Sequence, residues 1–430
     1  MNILNTASVL LTLSAIFSYL NYRFIKLPTT IGIMLIALLM SFFIMISGKL
    51  GFFTVQRELS ELIKGIDFHT ALINGMLSFL LFAGALHINL NDLRKQKWVV
   101  LILATLGVVS STFIIGGVSW LILQALELNV SLIYCLLFGA LISPTDPIAV
   151  MGILKTVGIP KSLEVKISGE SLFNDGVAVV VFLVLLGIAS GQNEVTLSSV
   201  GMLFLQEAIG GAIYGFVIGG ICFYMLRSVN NYQVEILLTL ALVMGGYALA
   251  TAIHVSGPIA MVVAGLLIGN HGRLFAMSDS TRAHLDTFWE LIDEVLNAVL
   301  FLLMGMEILI LVYHTEYFLA ALAIIPVVLV ARFIAVGVPV KMMRKVRNFS
   351  PGVVRLMTWG GLRGGISVAL ALSLPQGSER EVILAITYAV VVFSILVQGL
   401  TLASLAKDVQ AEALQQMVRE HAFDSQDIVK

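Results

Sequence analysis

The sequence predicts an all-α polytopic membrane protein, and three observations carry that expectation. Of its 430 residues 59% are hydrophobic and only 12% charged, with a mean hydropathy of +0.99, whereas soluble domains carry about 25% charged residues. Windows of about 20 residues, enough to cross a hydrocarbon core roughly 30 Å thick as a helix, pick out about thirteen candidate spans. The charges left inside those spans are few, and the most informative of them fall in three short motifs.

In chain order the candidates are 5–22, 29–47, 68–88, 98–126, 130–154, 170–190, 199–226, 233–253, 256–270, 286–311, 317–340, 353–374 and 380–404. The first lacks the basic segment of a cleaved leader and is followed by many more apolar runs, so it counts as a span. The fifth is interrupted by Ser143-Pro144-Thr145-Asp146-Pro147 and the twelfth by Gly360-Gly361-Leu362-Arg363-Gly364-Gly365. Proline removes an amide donor and clashes with the preceding turn, and paired glycines loosen a helix, so both stretches should break. The ninth is short. The tenth carries Glu290, Asp293, Glu294 and Glu307, and the seventh Glu207; these acids read as helix-interface or water-facing groups rather than cation ligands. A net charge of −1 leaves no basic surface for nucleic acid. Cys135 and Cys222 lie in apolar runs without metal-ligand spacing and read as small core residues.

Basic residues in alternate connections number 16 on one side and 4 on the other, which places the N-terminus outside and the C-terminus in the cytoplasm. That orientation requires an odd number of spans. Thirteen divide as six, one and six, so the second six run opposite to the first, and the two broken spans, five and twelve, fall at matching positions. Broken helices at repeat-related places point to a substrate site near the bilayer midplane.

The sixth candidate opens with GESLFNDGVAVVVF at 169–182, which puts Glu170, Asn174 and Asp175 at membrane depth. Intramembrane carboxylates are costly and face a bundle interior or a water-filled cavity, where they mark ion or proton paths. Counted at about 1.5 Å per residue from Lys166, Lys155 and Arg355, the groups Asp175, Asp146 and Arg363 all lie about 12–13 Å from the cytoplasmic face. Ser171 and Asp175 share one helix face, Glu170 and Asn174 the next. Asp175, Ser171 and Asn174, with Thr145 and Asp146 from the broken span, thus offer oxygen ligands to one small hard cation, written as Na⁺ at Asp175. Arg363 needs an anion, and Glu170 is the candidate for a structural ion pair. A carboxylate that binds either a proton or a cation, and crosses the membrane only when neutralised, enforces exchange by alternating access. An intramembrane aspartyl protease would also use two buried aspartates, a channel would pass ions without a counter-ion, and a sodium-coupled symporter would need an organic substrate pocket that no motif here reveals.

SPTDPIAV at 143–150, GESLFNDGVAVVVF at 169–182, FWELIDEVLNAVLFLLMGME at 288–307 and WGGLRGGISVALALSLP at 359–375 resemble the motifs of the monovalent cation:proton antiporter family, in its sodium/proton exchanger (NhaP-like) branch. The resemblance spans essentially the whole chain. It implies an NhaA-like inverted repeat within a transmembrane domain over 1–405. Spans 1–6 and 8–13 would form the repeats, the core would lie around 130–190 and 353–404, and 406–430 would be a short cytoplasmic tail. It also implies a scaffold domain that forms a homodimer in the lipid bilayer. The expected activity is Na⁺ or Li⁺ export in exchange for H⁺, with K⁺/H⁺ exchange as the alternative and with no enzyme activity, organic substrate or cofactor beyond the transported ions. By the same resemblance Asp175 is the principal carboxylate with Asn174 as its partner. Asp146, Thr145 and Ser171 contribute to the site, and the Glu170–Arg363 pair steadies the core. Asn174-Asp175 resembles the electroneutral members, whose electrogenic relatives carry two consecutive aspartates. Several prokaryotic relatives have an acidic residue in the third span where Ala83 stands. The short tail suggests a prokaryotic plasma membrane.

Overall fold

The computed structural model describes residues 3–49, 68–191, 201–202, 205–311, 314–347 and 349–412, and among them it contains helices and no strand. The helices are α1 Ile3–Leu20, α2 Thr29–Lys49, α3 Leu77–Leu86, α4 Leu90–Ala125, α5 Leu132–Ile142, α6 Pro147–Val157, α7 Lys161–Ala189, α8 Gly211–Ser228, α9 Tyr232–Ala252, α10 Gly257–Leu267, α11 Asp279–Met306, α12 Thr315–Met343, α13 Val353–Trp359, α14 Gly365–Leu372 and α15 Ser378–Phe393. Nine helical stretches among the described residues are long and apolar enough to cross a membrane. The four other candidate spans are the two interrupted ones, the short run ending at Leu86, and α11, in which an acidic half is joined to an apolar one. Arg57 and Lys64, used in the orientation count, and the tail beyond Glu412 lie outside the described residues.

Helices extend past the apolar windows where a cap or an amphipathic turn carries them on. α4 begins eight residues before its candidate span because Asn89 accepts hydrogen bonds from the amides of Asn91 and Asp92 at 2.9 and 3.2 Å. α7 begins at Lys161, whose ammonium pairs with Asp92 at 3.2 Å. Lys166, by contrast, is only 4% exposed and its ammonium lies over the ring of Phe349. It therefore packs inside the protein beside the basic connection that contains Arg347 and does not reach solvent. Asp175 is central, the fifteenth of the 29 residues of α7.

Two large buried apolar clusters, with a small third of Val108, Val177 and Ala178, fill the interior. The larger is built mainly from α1, α2, α4–α7 and α12–α15, and the other mainly from α3 and α8–α10 with Leu93 and Val100 of α4 and Val165 and Leu172 of α7. α11 belongs to both, with Leu285 and Trp289 in the second and Val299 to Met304 in the first. α4 is the spine of the first cluster and runs against α5, α7 and α12. The α4–α5 approach depends on Gly139, where an added Cβ would lie 2.2 Å from the Thr112 carbonyl oxygen.

Candidate functional site

Both expected breaks are present. α5 stops at Ile142 and α6 starts at Pro147, while α13 stops at Trp359 and α14 starts at Gly365. The two breaks are joined, because the Asp146 amide donates to the Leu362 carbonyl at 2.7 Å. A half-helix ends in unpaired carbonyls at its C-terminus and unpaired amides at its N-terminus, with partial negative and positive charge respectively. Each break supplies the group the other needs. Arg363 Nη1 donates to the carbonyls of Ser143 and Pro144 at 2.7 and 3.0 Å, at the C-terminal end of α5. The Asp146 side chain lies at the N-terminal end of α14, so close to Gly364 that a Cβ there would sit 2.8 Å from Asp146 Cβ and 2.9 Å from Oδ2. From outside, Ser394 accepts from the Arg363 amide at 2.9 Å and Gln398 donates to the Trp359 carbonyl at 3.0 Å, which ties α15 to the second break.

The expected Glu170–Arg363 pair does not form. Arg332 of α12 takes both oxygens of Glu170, Nη1 to Oε1 and Nη2 to Oε2, each at 2.7 Å, with side chains 7% and 1% exposed. Two parallel bonds between fork and carboxylate are the favoured geometry for such a pair. Arg363 turns instead to the α5 carbonyls, which its Nη1 holds. Sequence spacing gave no register for α12 against α7, and that register decides the partner.

Asn174 holds α7 against the first break. Its Nδ2 donates to Glu170 Oε1 at 3.0 Å and to Thr145 Oγ1 at 2.9 Å, and Thr145 Oγ1 meets Ser171 Oγ at 3.0 Å. The five residues expected to bind the ion are therefore brought together, but they do not face the same way. A cavity of about 70 Å³ is lined by Thr145, Asp146, Asp175, Gly364 and Ser367, with an apolar wall of Leu77, Leu80 and Leu81. Ser171 and Asn174 are buried and do not line the cavity; they bond to Thr145, which does. Asp175 is 7% exposed, makes no hydrogen bond to another described residue, and has the carboxylates of Asp146 and Glu170 as its charged neighbours. With Glu170 matched by Arg332 and Asp146 set at a helix N-terminus, Asp175 is the carboxylate of this cavity that has no counter-charge among the described residues.

Two polar groups escaped the motif reading. Ser367 lines the cavity with a buried hydroxyl and Asn297 of α11 with a buried amide oxygen, neither with a hydrogen-bond partner among the described residues. Their signals were a serine in the first turn after the glycine break and a polar stripe at Glu290, Asp293 or Glu294 and Asn297, spaced for one face of a helix. Ala83 is 1% exposed and turned away from the cavity; the neighbour that lines it is Gly84. Glu307 is buried at the far end of α11, away from these groups.

A carboxylate at the crossing of two interrupted helices, facing a small cavity within a bundle of membrane-length helices, defines a secondary ion transporter and not an enzyme. The chain belongs to the sodium/hydrogen exchanger family: residues 10–408 match the family model described as "Sodium/hydrogen exchanger, transmembrane". It is 52% identical over 412 residues to the Na(+)/H(+) antiporter NhaP of Pseudomonas aeruginosa, covering 95% of this chain and 97% of that one. It is 34% identical to the Na(+)/H(+) antiporter NhaH of Halobacillus aidingensis, covering 90% and 93%. The solved sodium proton antiporter MjNhaP1 from Methanocaldococcus jannaschii at pH 8 shares the fold, with a TM-score of 0.72 at 18% identity, covering 94% of this chain and 99% of that one.

Proposed function

We propose that this protein is a secondary Na⁺(Li⁺)/H⁺ antiporter that exports cytoplasmic sodium against inward proton flow, one for one, with proton and cation competing for Asp175. The observation that carries this reading is the uncompensated Asp175 carboxylate on the cavity wall at the helix crossing. Burial in a low dielectric disfavours the charged form of a carboxylate. A proton or a monovalent cation at Asp175 relieves that cost, and the empty site is held back from crossing. Thr145, Asp146 and Ser367 are placed to add oxygen ligands, while Asn174, Ser171 and the Glu170–Arg332 pair fix the helices that carry them. Relatives named as Na⁺/H⁺ antiporters support sodium over potassium as the cation. We assign the protein to a prokaryotic plasma membrane as a homodimer, with the N-terminus outside and the C-terminus cytoplasmic.

The test is purified protein in proteoliposomes with an acidic lumen and a pH dye, with Na⁺, Li⁺ or K⁺ added outside and Asp175→Asn run alongside. Valinomycin clamps the voltage in the Na⁺ and Li⁺ runs. Lumen alkalinisation by Na⁺ and Li⁺ that Asp175→Asn abolishes is the expected result, with rates insensitive to voltage. A response to K⁺ alone, measured without valinomycin, would replace sodium by potassium, and silence with every cation from pH 6 to 9 would defeat the antiport reading.

A further inference from the structure

Beside the 70 Å³ cavity at Asp175 lies a second of about 640 Å³, lined by Lys26, Thr29, Thr156, Asp293, Glu294 and Asn297. Its Lys26 belongs to a basic connection on the side read as cytoplasmic. Asn297 is the residue that both cavities share. Cavity volume sets how much water accompanies an ion, at about 10–15 Å³ of such space for each water. The larger space admits a fully hydrated cation, whereas the smaller holds only a handful of waters. An ion that moves between them passes from a space that holds dozens of waters to one that holds a few, and oxygens at the boundary can replace the waters it sheds.

Two such oxygens are there. Asn297 is 2% exposed, and its Nδ2 is committed to the Asp293 carbonyl at 2.8 Å, which leaves its Oδ1 buried without a partner among the described residues. Asp293 Oδ1 is likewise buried without one. The residues are four apart on α11 and therefore share a face, about 6 Å from each other along the axis. Asp293 is also close enough to Asp146, at the helix crossing, for their charges to interact. Of the other charged groups on this cavity, Glu294 is exposed on the same helix and Lys26 stands opposite on the connection between α1 and α2.

We propose that Asp293 Oδ1 and Asn297 Oδ1 form a transit site that holds a partly dehydrated monovalent cation on its way between the cytoplasmic cavity and Asp175. This rests on the antiport reading and deepens it by assigning a second binding station on one side only. A step on one access path changes how readily the cation reaches Asp175 from that face, and leaves entry from the other face as it was. A purely structural role for Asp293 would instead alter both faces together.

The experiment measures ²²Na⁺ exchange in everted and in right-side-out membrane vesicles made from the same cells, for wild type, Asp293→Asn, Asp293→Glu, Asn297→Leu and Asp175→Asn. Asp293→Asn should raise the apparent KM for Na⁺ at the cytoplasmic face by at least tenfold, since at an effective dielectric near 20 a unit charge about 12 Å from the ion is worth about tenfold and a nearer one more. Asn297→Leu should shift the same constant in the same direction. Neither should change KM at the outer face, and Asp293→Glu, which keeps a carboxylate on a longer stem, should stay near wild type. Equal changes at both faces, or no change at either in the presence of active wild type, would overturn the transit site while leaving antiport intact. Inactive wild type would overturn both.

Discussion

Removal of Arg332 provides the sharpest test of how the site is held. Its guanidinium meets Glu170 through two bonds of 2.7 Å, and both groups are almost wholly shielded from water. Breaking a buried pair by deleting one partner costs about 3–5 kcal/mol, because the remaining charge stays buried. Arg332→Met should therefore lower the melting temperature in detergent by roughly 5–10 °C, and Glu170→Gln, which leaves the guanidinium stranded, by a similar amount. The double variant buries no unmatched charge at this place, so it should melt well above the sum of the two losses, with a coupling of about 2–3 kcal/mol. Arg363→Met frees the carbonyls of Ser143 and Pro144 but leaves the Glu170 pair whole, and its coupling to Glu170→Gln should be below about 0.5 kcal/mol. The assay is a double-mutant cycle on tryptophan-fluorescence melting curves, with both cycles run in the same detergent. Stronger coupling of Glu170 to Arg363 than to Arg332 would refute the assignment.

Gly364→Ala should abolish exchange while the protein stays folded, since the added Cβ meets the Asp146 side chain at 2.8–3.1 Å; ion flux together with an unchanged size-exclusion profile checks it. Asn174→Asp removes two donated hydrogen bonds and sets a second carboxylate beside Glu170, so the melting temperature should fall by several degrees, each lost bond to a buried partner costing about 1–3 kcal/mol. If proton and cation share Asp175, a lower pH on the side of cation entry raises proton occupancy and hence the apparent KM for Na⁺, with Vmax unchanged. Initial rates over a grid of pH and Na⁺ decide this, and a pH effect on Vmax alone would contradict simple competition. Gly84→Asp should change the cation dependence of exchange and Ala83→Ser should not, because Gly84 lines the cavity and Ala83 does not.

The sequence by itself determined that the chain is a helical membrane protein, where its two helices break, and that Asp146 and Asp175 belong to one site. Proline, paired glycines and carboxylates in an apolar run act locally, through lost amide donors and desolvation cost, so their consequences can be read without knowing the neighbours. Tertiary structure decided everything that depends on how helices sit against one another. It chose Arg332 over Arg363 for Glu170, left Asn174 and Ser171 off the cavity lining, put Gly84 and not Ala83 on it, and set Asn297 between two cavities. A rotation of one helix by a single residue, about 100°, moves a side chain from a cavity to a packed face. Residue spacing fixes faces within a helix and leaves the angle between helices open, and that angle is set by contacts such as Gly139 against the Thr112 carbonyl, whose partner lies on another helix and in no motif.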